Sequence, residues 1–258
     1  MLHTMNTLID FYQHLGWALT ALVIGTFMLA GTVKGVIGLG LPTVAMGLLG
    51  LAMAPAQAAA LLIIPSTVTN VWQLANGGQL RGLLARLWPM LLMIAVGTGL
   101  GSWWLGINGG PSMTRALGAA LLLYALSGLA LPTFSIPAAA QRWLGPLCGL
   151  LTGIVASATG VFVIPAVPYL QALGLSRDQL VQALGLSFTV STLALAAGLA
   201  GTGALGGDEL GASWLALVPA LLGMWLGQRL RQRISAVLFK RVFFIGMAGL
   251  GLHLLMQG

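Results

Sequence analysis

The run Gly31-Thr-Val-Lys-Gly-Val-Ile-Gly-Leu-Gly40 decides how this chain is read. Lys34, near its middle, is the only charged residue between Tyr12 and Arg81. The flanking sequence is apolar, so a cation sits beside helix-breaking glycines at or near membrane depth. An ionisable side chain there is costly to keep and marks a functional site by default. The natural partner of a lone cation is an anion.

Outward from this run, composition names the solvent. Charged residues make up 6% of the 258-residue chain and hydrophobic residues 58%, and the mean hydropathy is +0.98. A soluble domain carries about 25% charged residues. Too few charges are present to cover a water-facing surface, so the chain is an integral membrane protein. In lipid every backbone polar group must be satisfied internally, which leaves helices or a closed barrel. The apolar stretches are continuous and lack the alternation of a barrel, so the fold class is an all-α, polytopic membrane helical bundle. The N-terminal stretch has no basic residue before the first apolar run, carries Asp10 and has no small-residue cleavage site after it, which argues against a cleaved signal peptide. Cys148 is the single cysteine and reads as a small packing residue.

Ten apolar segments are predicted, at approximately 15–36, 40–53, 56–75, 84–106, 113–131, 143–158, 160–173, 179–200, 212–229 and 235–256. Of these, 40–53, 143–158 and 160–173 are short for about 30 Å of hydrocarbon. They read as tilted short spans or as arms of re-entrant hairpins. Basic residues orient the chain: Arg81, Arg86, Arg142 and Arg177 mark three loops, and Arg229, Arg231, Arg233, Lys240 and Arg241 form the strongest cluster. The positive-inside rule makes these loops cytoplasmic. Asn108 and the loop with Asp208 and Glu209 then fall outside, as do both termini, which are expected to be periplasmic in a bacterial inner membrane; Arg115 is the one mild exception. The net charge of +7 is thus mostly an orientation signal, and no nucleic-acid partner is expected. Most tryptophans lie near segment ends and read as interfacial anchors. Trp225 lies deeper and is expected to pack between helices.

Two halves, 1–132 and 133–258, resemble each other weakly. Gly31 and Gly35 match Gly149 and Gly153, Gly40 matches Gly160, Gln57 matches Gln179, Thr67-Val-Thr69 matches Thr189-Val-Ser191, and Pro89 and Gly97 match Pro219 and Gly227. The loop after the first Thr-Val-Thr carries Arg81 and Arg86, whereas the loop after its counterpart carries Asp208 and Glu209. Equivalent loops on opposite sides are the expectation for two inverted repeats. In transporters such repeats hold the substrate near the midplane, at glycine-broken short or re-entrant segments.

At Gly35-Val-Ile-Gly-Leu-Gly-Leu-Pro42, and at Gly149-Leu-Leu-Thr-Gly-Ile-Val-Ala-Ser-Ala-Thr-Gly160 with the following Val161-Phe-Val-Ile-Pro165, the chain resembles the sulfite-exporter (TauE/SafE-type) family of bacterial membrane transporters. The resemblance covers nearly the whole chain. It implies seven or eight spans in two related halves and transport of sulfite, sulfonates or related organic anions.

The residues themselves suggest how an oxyanion is held. Breaks at Gly38 to Gly40 and at Thr159-Gly160 would expose backbone N–H groups, and a half-helix N-terminus adds a positive dipole end. Ser157 and Thr159 offer hydroxyls at one break and Lys34 a full charge at the other. Ser66, Thr69, Asn70 and Gln73 are spaced i, i+3, i+4, i+7 and share one helix face. Thr189 and Thr192, three apart, and Ser187 and Ser191, four apart, make a similar face. The candidate substrate-binding residues are therefore Lys34, Gly38, Gly40, Thr67, Asn70, Ser157, Thr159, Gly160, Thr189 and Thr192. Two structural alternatives stand beside this reading: the glycines could serve close helix packing, and Lys34 could snorkel to the interface.

All four acidic residues, Asp10, Asp178, Asp208 and Glu209, fall in loops or at segment ends, so a carboxylate proton relay has no carrier. His3, His14 and His253 lie near the termini without metal-ligand spacing, and no GxxxxGK[ST] loop is present. No metal, no cofactor and no enzymatic activity are expected. The expected partners are a small anionic substrate and the lipid bilayer; a homo-oligomer is also compatible. The leading function is a secondary transporter of a small oxyanion working by alternating access. An anion channel, or a non-transporting membrane scaffold subunit, is the alternative.

Overall fold

A computed structural model describes residues 16–75, 78–105, 111–130 and 135–257. The readings made for His3, Asp10, His14, Asn108 and both chain ends lie outside them. The described residues form ten α-helices and no strand. They are α1 (Trp17–Ile37), α2 (Leu41–Leu49), α3 (Pro55–Ala75), α4 (Leu80–Leu105), α5 (Pro111–Ala130), α6 (Ala138–Thr159), α7 (Ala166–Gln171), α8 (Arg177–Gly201), α9 (Gly207–Leu230) and α10 (Ala236–Gln257). Each coincides with one predicted apolar segment. All but α2, α6 and α7 are long and apolar enough to cross a membrane. The segment expected at 143–158 is not short: α6 has 22 residues, about 33 Å at about 1.5 Å per residue. Its first two turns carry Gln141 and Arg142, which hid its start from a reading by apolarity. By contrast α2 has nine residues and α7 six, too short to cross as helices alone.

Two left-handed glycines make the breaks. Gly38, at φ 81°, closes α1, its N–H donating to the Lys34 carbonyl at 2.8 Å. Gly160, at φ 67°, closes α6 in the same way, onto the Ala156 carbonyl at 2.8 Å. Only glycine takes this backbone shape without strain. Gly40, at φ 104°, then starts α2 with Pro42 in its first turn, and α2 folds back along α1 so that Leu29, Val33, Val44 and Leu48 line one groove. At the start of α8, Ser176 and Gln179 form a capping box.

Helices of the first five and the last five pack reciprocally. α1 lies on α9 and α6 on α4, α3 meets α8, and α5 meets α10. The first two contacts are nearly backbone to backbone. A Cβ on Gly31 would lie 2.1 Å from the Ala220 carbonyl oxygen, and one on Gly149 would lie 2.2 Å from that of Met90. Gly35 abuts Gly227, as Gly153 abuts Gly97. These are small residues used to bring helices together in lipid, where no hydrophobic drive exists between them. The glycine pairs are offset by 118 residues (Gly35 to Gly153) and the closing glycines by 122 (Gly38 to Gly160). α6 therefore runs one turn further past its pair than α1 does.

The proline break in α3 is repaired from a neighbouring helix. Pro65, inside α3, has no N–H to give the Leu61 carbonyl. The Ser213 hydroxyl of α9 donates to that carbonyl at 2.8 Å and accepts from the Ile64 N–H at 3.0 Å. Large apolar side chains and the tryptophans cover the outside: Trp17, Trp103 and Trp104 are the most exposed rings. Trp225 does not pack between helices. Its ring lies on the outer surface, 54% exposed, beneath the Arg229 guanidinium at 4.6 Å.

Candidate functional site

α3 and α8 are the two most buried of the candidate spans, and both carry polar stripes. Their crossing, with the last turn of α1, holds a connected polar cluster. Lys34 does not snorkel: it is 2% exposed and points inward. Its ammonium donates to Thr69 Oγ1 at 3.0 Å and to Asn70 Oδ1. The Asn70 amide donates onward to Ser66 Oγ at 3.1 Å and to Thr192 Oγ1 at 3.4 Å. Ser66 and Thr192 hydroxyls lie 3.1 Å apart, and Thr192 ends the chain on the Phe188 carbonyl at 2.7 Å. Every dipole in this chain is oriented by the cation at its head, so the bonds reinforce one another.

The cluster is short of negative charge. A Lys ammonium has three donors, and the two partners found for it are neutral oxygens. Among the described residues no carboxylate pairs with it. Asp178 stands in the first turn of α8, and the Glu209 carboxylate accepts the Gly206 N–H at the start of α9. An ammonium removed from water loses several kcal/mol of solvation, which neutral acceptors offset only in part. Lys34 also lies in the last turn of α1, where the helix dipole is negative and favours it modestly.

Gln73, one turn beyond Asn70, donates to the Gly38 carbonyl and so ties the α1 break to α3. Its own Oε1 is buried without a partner. Ser187 and Ser191, one turn apart on α8 and fully buried, likewise have hydroxyls without a partner. Buried unsatisfied polar atoms are uncommon and call for an explanation such as a ligand or water. Beyond the cluster three glutamines clasp the first turns of α8 to the last turn of α3 and to the residue before α4. Gln182 accepts from the Gln79 N–H at 3.1 Å and donates to the Leu74 carbonyl at 2.9 Å, and Gln179 donates to Gln79.

Of the ten candidates, Lys34, Asn70 and Thr192 are brought together, with Gly38 attached through Gln73. Gly40 lies against Val33 and Phe243. Thr67 and Thr189 are half-buried and donate to the Ile63 and Gly185 carbonyls of their own helices, both at 2.7 Å. At the second break, Ser157 donates to the Ile154 carbonyl at 2.8 Å and packs against Gly101. Thr159 donates to the Val155 carbonyl at 2.7 Å and accepts the Val161 N–H at 3.1 Å. Gly160 faces Met46 of α2. No hydrogen bond joins these last three to Lys34 among the described residues. Ser66, Thr69 and Gln73 belong to the cluster although the candidate set omits them; their spacing with Asn70 was the available signal.

The two halves contribute unequally. In the register of the packed glycines, Lys34 corresponds to Thr152, whose hydroxyl donates to the Cys148 carbonyl at 2.7 Å. In the register of the Thr-Val-Thr match, Asn70 corresponds to Thr192, and these two positions touch each other. Lys34 thus stands beside the Asn70–Thr192 contact, where α3 meets α8.

Comparison with protein families matches the sulfite exporter TauE/SafE model over residues 23–254. Neither the curated proteins nor the solved structures yielded a match. The match begins within α1, ends within α10 and includes Lys34, both glycine breaks and the polar stripes of α3 and α8, so the chain belongs to the sulfite exporter TauE/SafE family of membrane transporters.

Proposed function

We propose that this protein is a secondary transporter that moves a small oxyanion (sulfite, a sulfonate or a related organic anion) across the bacterial inner membrane by alternating access. The observation that carries the reading is the buried ammonium of Lys34, held by Thr69 and Asn70 with no carboxylate beside it. One cation with a spare donor and the unpaired hydroxyls of Ser187 and Ser191 suit an oxyanion that brings a compensating charge and several acceptor atoms. In this reading 1–132 and 133–258 are inverted repeats. The reciprocal packing of α1 on α9 and α6 on α4 supports it, as does the meeting of Asn70 with Thr192. Inversion needs an odd number of passages in each half, so α2 and α7 with their flanking residues would carry the chain back to the side on which α1 and α6 began, and both termini would be periplasmic.

Enclosure of the cluster favours a carrier over a channel. A pore open throughout would keep the ammonium wet, whereas Lys34 is 2% exposed and Asn70 fully buried. The glutamine clasp between α3 and α8 would be the closed gate at one end.

The test is counterflow of labelled sulfite in proteoliposomes, challenged with sulfonates, carboxylates and sulfate. Saturable exchange with a preference among these anions is expected. Flux without counterflow would make the protein a channel. No exchange with any of them, from folded protein, would remove the transport reading and leave the scaffold one.

A further inference from the structure

Away from the Lys34 cluster, α9 carries a second feature suited to an anion of another kind. Val218, Leu222, Trp225 and Leu226 recur at i, i+4, i+7 and i+8 and are all about half exposed. They form an apolar stripe on the outer face of a helix whose inner face is pressed against α1. The next residue along that stripe is Arg229, in the last turn. Its guanidinium lies over the Trp225 ring at 4.6 Å, a cation–π contact that holds it at the top of the stripe. Trp225, Leu226, Gln228, Arg229, Gln232 and Arg233 border a cleft of about 720 Å³.

This cleft has two guanidinium groups and no acidic residue in its lining. The neighbouring Arg231 is different. It feels both Arg177 and Asp178, and burial, then Arg177, push its guanidinium down from the ordinary arginine value while Asp178 opposes. The two outward arginines therefore await an external anion. Guanidinium forks match phosphate bidentately, and the amides of Gln228 and Gln232 add neutral donors. An apolar stripe leading into a cationic, amide-lined cleft has the polarity of a phospholipid, tails along Val218 to Leu226 and phosphate between the arginines.

We propose that the end of α9 is a binding site for an anionic phospholipid, with Arg229 and Arg233 on the phosphate and Trp225 as the platform between headgroup and chains. Net charge selects an anionic lipid over a zwitterionic one, because the choline of the latter would sit among cations. The stripe selects a lipid over a free phosphate or a small oxyanion, neither of which can use it. This site is separate from Lys34 and stands whether or not the transport reading does.

The experiment is native mass spectrometry of the detergent-solubilised, delipidated protein titrated with phosphatidylglycerol or phosphatidylcholine. Preferential retention of phosphatidylglycerol is expected. Arg229→Gln and Arg233→Gln should each weaken it about fivefold, and the double variant roughly thirtyfold, to the level of phosphatidylcholine. Arg142→Gln, which removes the other guanidinium stacked on a tryptophan, at 5.5 Å from Trp143, should change nothing. Arg229 and Arg233 are both exposed, so the variants are expected to fold, and unchanged thermal transitions in detergent will check this. Equal retention of the two lipids overturns the proposal, as does phosphatidylglycerol binding that survives the double variant. Displacement of bound lipid by millimolar glycerol phosphate or sulfite overturns it too, by making the cleft a small-anion site.

Discussion

Replacing Lys34 by Gln is the perturbation that separates an anion site from a structural lysine. The ammonium is buried, it gives two hydrogen bonds to neutral oxygens and it has no carboxylate partner. Glutamine keeps a polar donor in reach of Asn70 but removes the charge. If the anion meets Lys34, the loss is one charge-assisted hydrogen bond, about 1.5–3 kcal/mol. That corresponds to a rise of roughly 10- to 150-fold in the half-saturating anion concentration. Stability should move little or even increase, because folding no longer carries an uncompensated charge out of water. The assay pairs counterflow across a range of anion concentrations with thermal unfolding in detergent on the same preparation. Weakened transport at an unchanged midpoint is the expected result. Transport at wild-type rate and affinity would refute the reasoning, since no anion would then touch the ammonium. Loss of transport together with a large fall in the midpoint would make Lys34 a structural tie between α1 and α3.

Two further outcomes test the scaffold around the site. Gly35→Ala and Gly153→Ala should each destabilise the bundle by about 1–3 kcal/mol, because the added methyl would sit 2.3 Å from the Met224 carbonyl oxygen and 2.2 Å from that of Ile94; Gly25→Ala, with open space around it, should be neutral or stabilising by about 0.5–1 kcal/mol, as read by denaturant titration in mixed micelles. Ser213→Ala should cost about 1–3 kcal/mol by orphaning the Leu61 carbonyl and the Ile64 N–H, and adding Pro65→Ala, which restores the helical donor for Leu61, should recover most of it in the same titration.

The helices were legible because their cause is local. Each of the ten predicted segments is an apolar run long enough to need internal hydrogen bonding in lipid, and each became a helix. The error at 143–158 has the same origin: Gln141 and Arg142 belong to α6 for reasons of backbone continuation that hydropathy does not register. Lys34 and Asn70 could be singled out because a charge and an amide are costly in a membrane wherever they point.

Their meeting was a different matter. Lys34 and Asn70 are 36 residues apart, and Thr192 is 122 beyond Asn70; only the packing of α1, α3 and α8 sets these distances. Ser157 and Thr159 looked like ligand donors, yet each hydroxyl bonds a carbonyl three or four residues back in its own helix. Serine and threonine have that local option, and rotamer and packing choose it. The glycines divided into two classes that composition cannot separate. Gly31, Gly35, Gly149 and Gly153 admit a neighbouring helix, whereas Gly38, Gly40 and Gly160 take a left-handed backbone and end or start one. The sequence by itself determined the solvent, the helices and the presence of a costly buried cation, since these follow from transfer free energies of residues taken one at a time. Tertiary structure alone decided which oxygens face that cation and which hydroxyls were already engaged, because those follow from contacts between segments far apart along the chain.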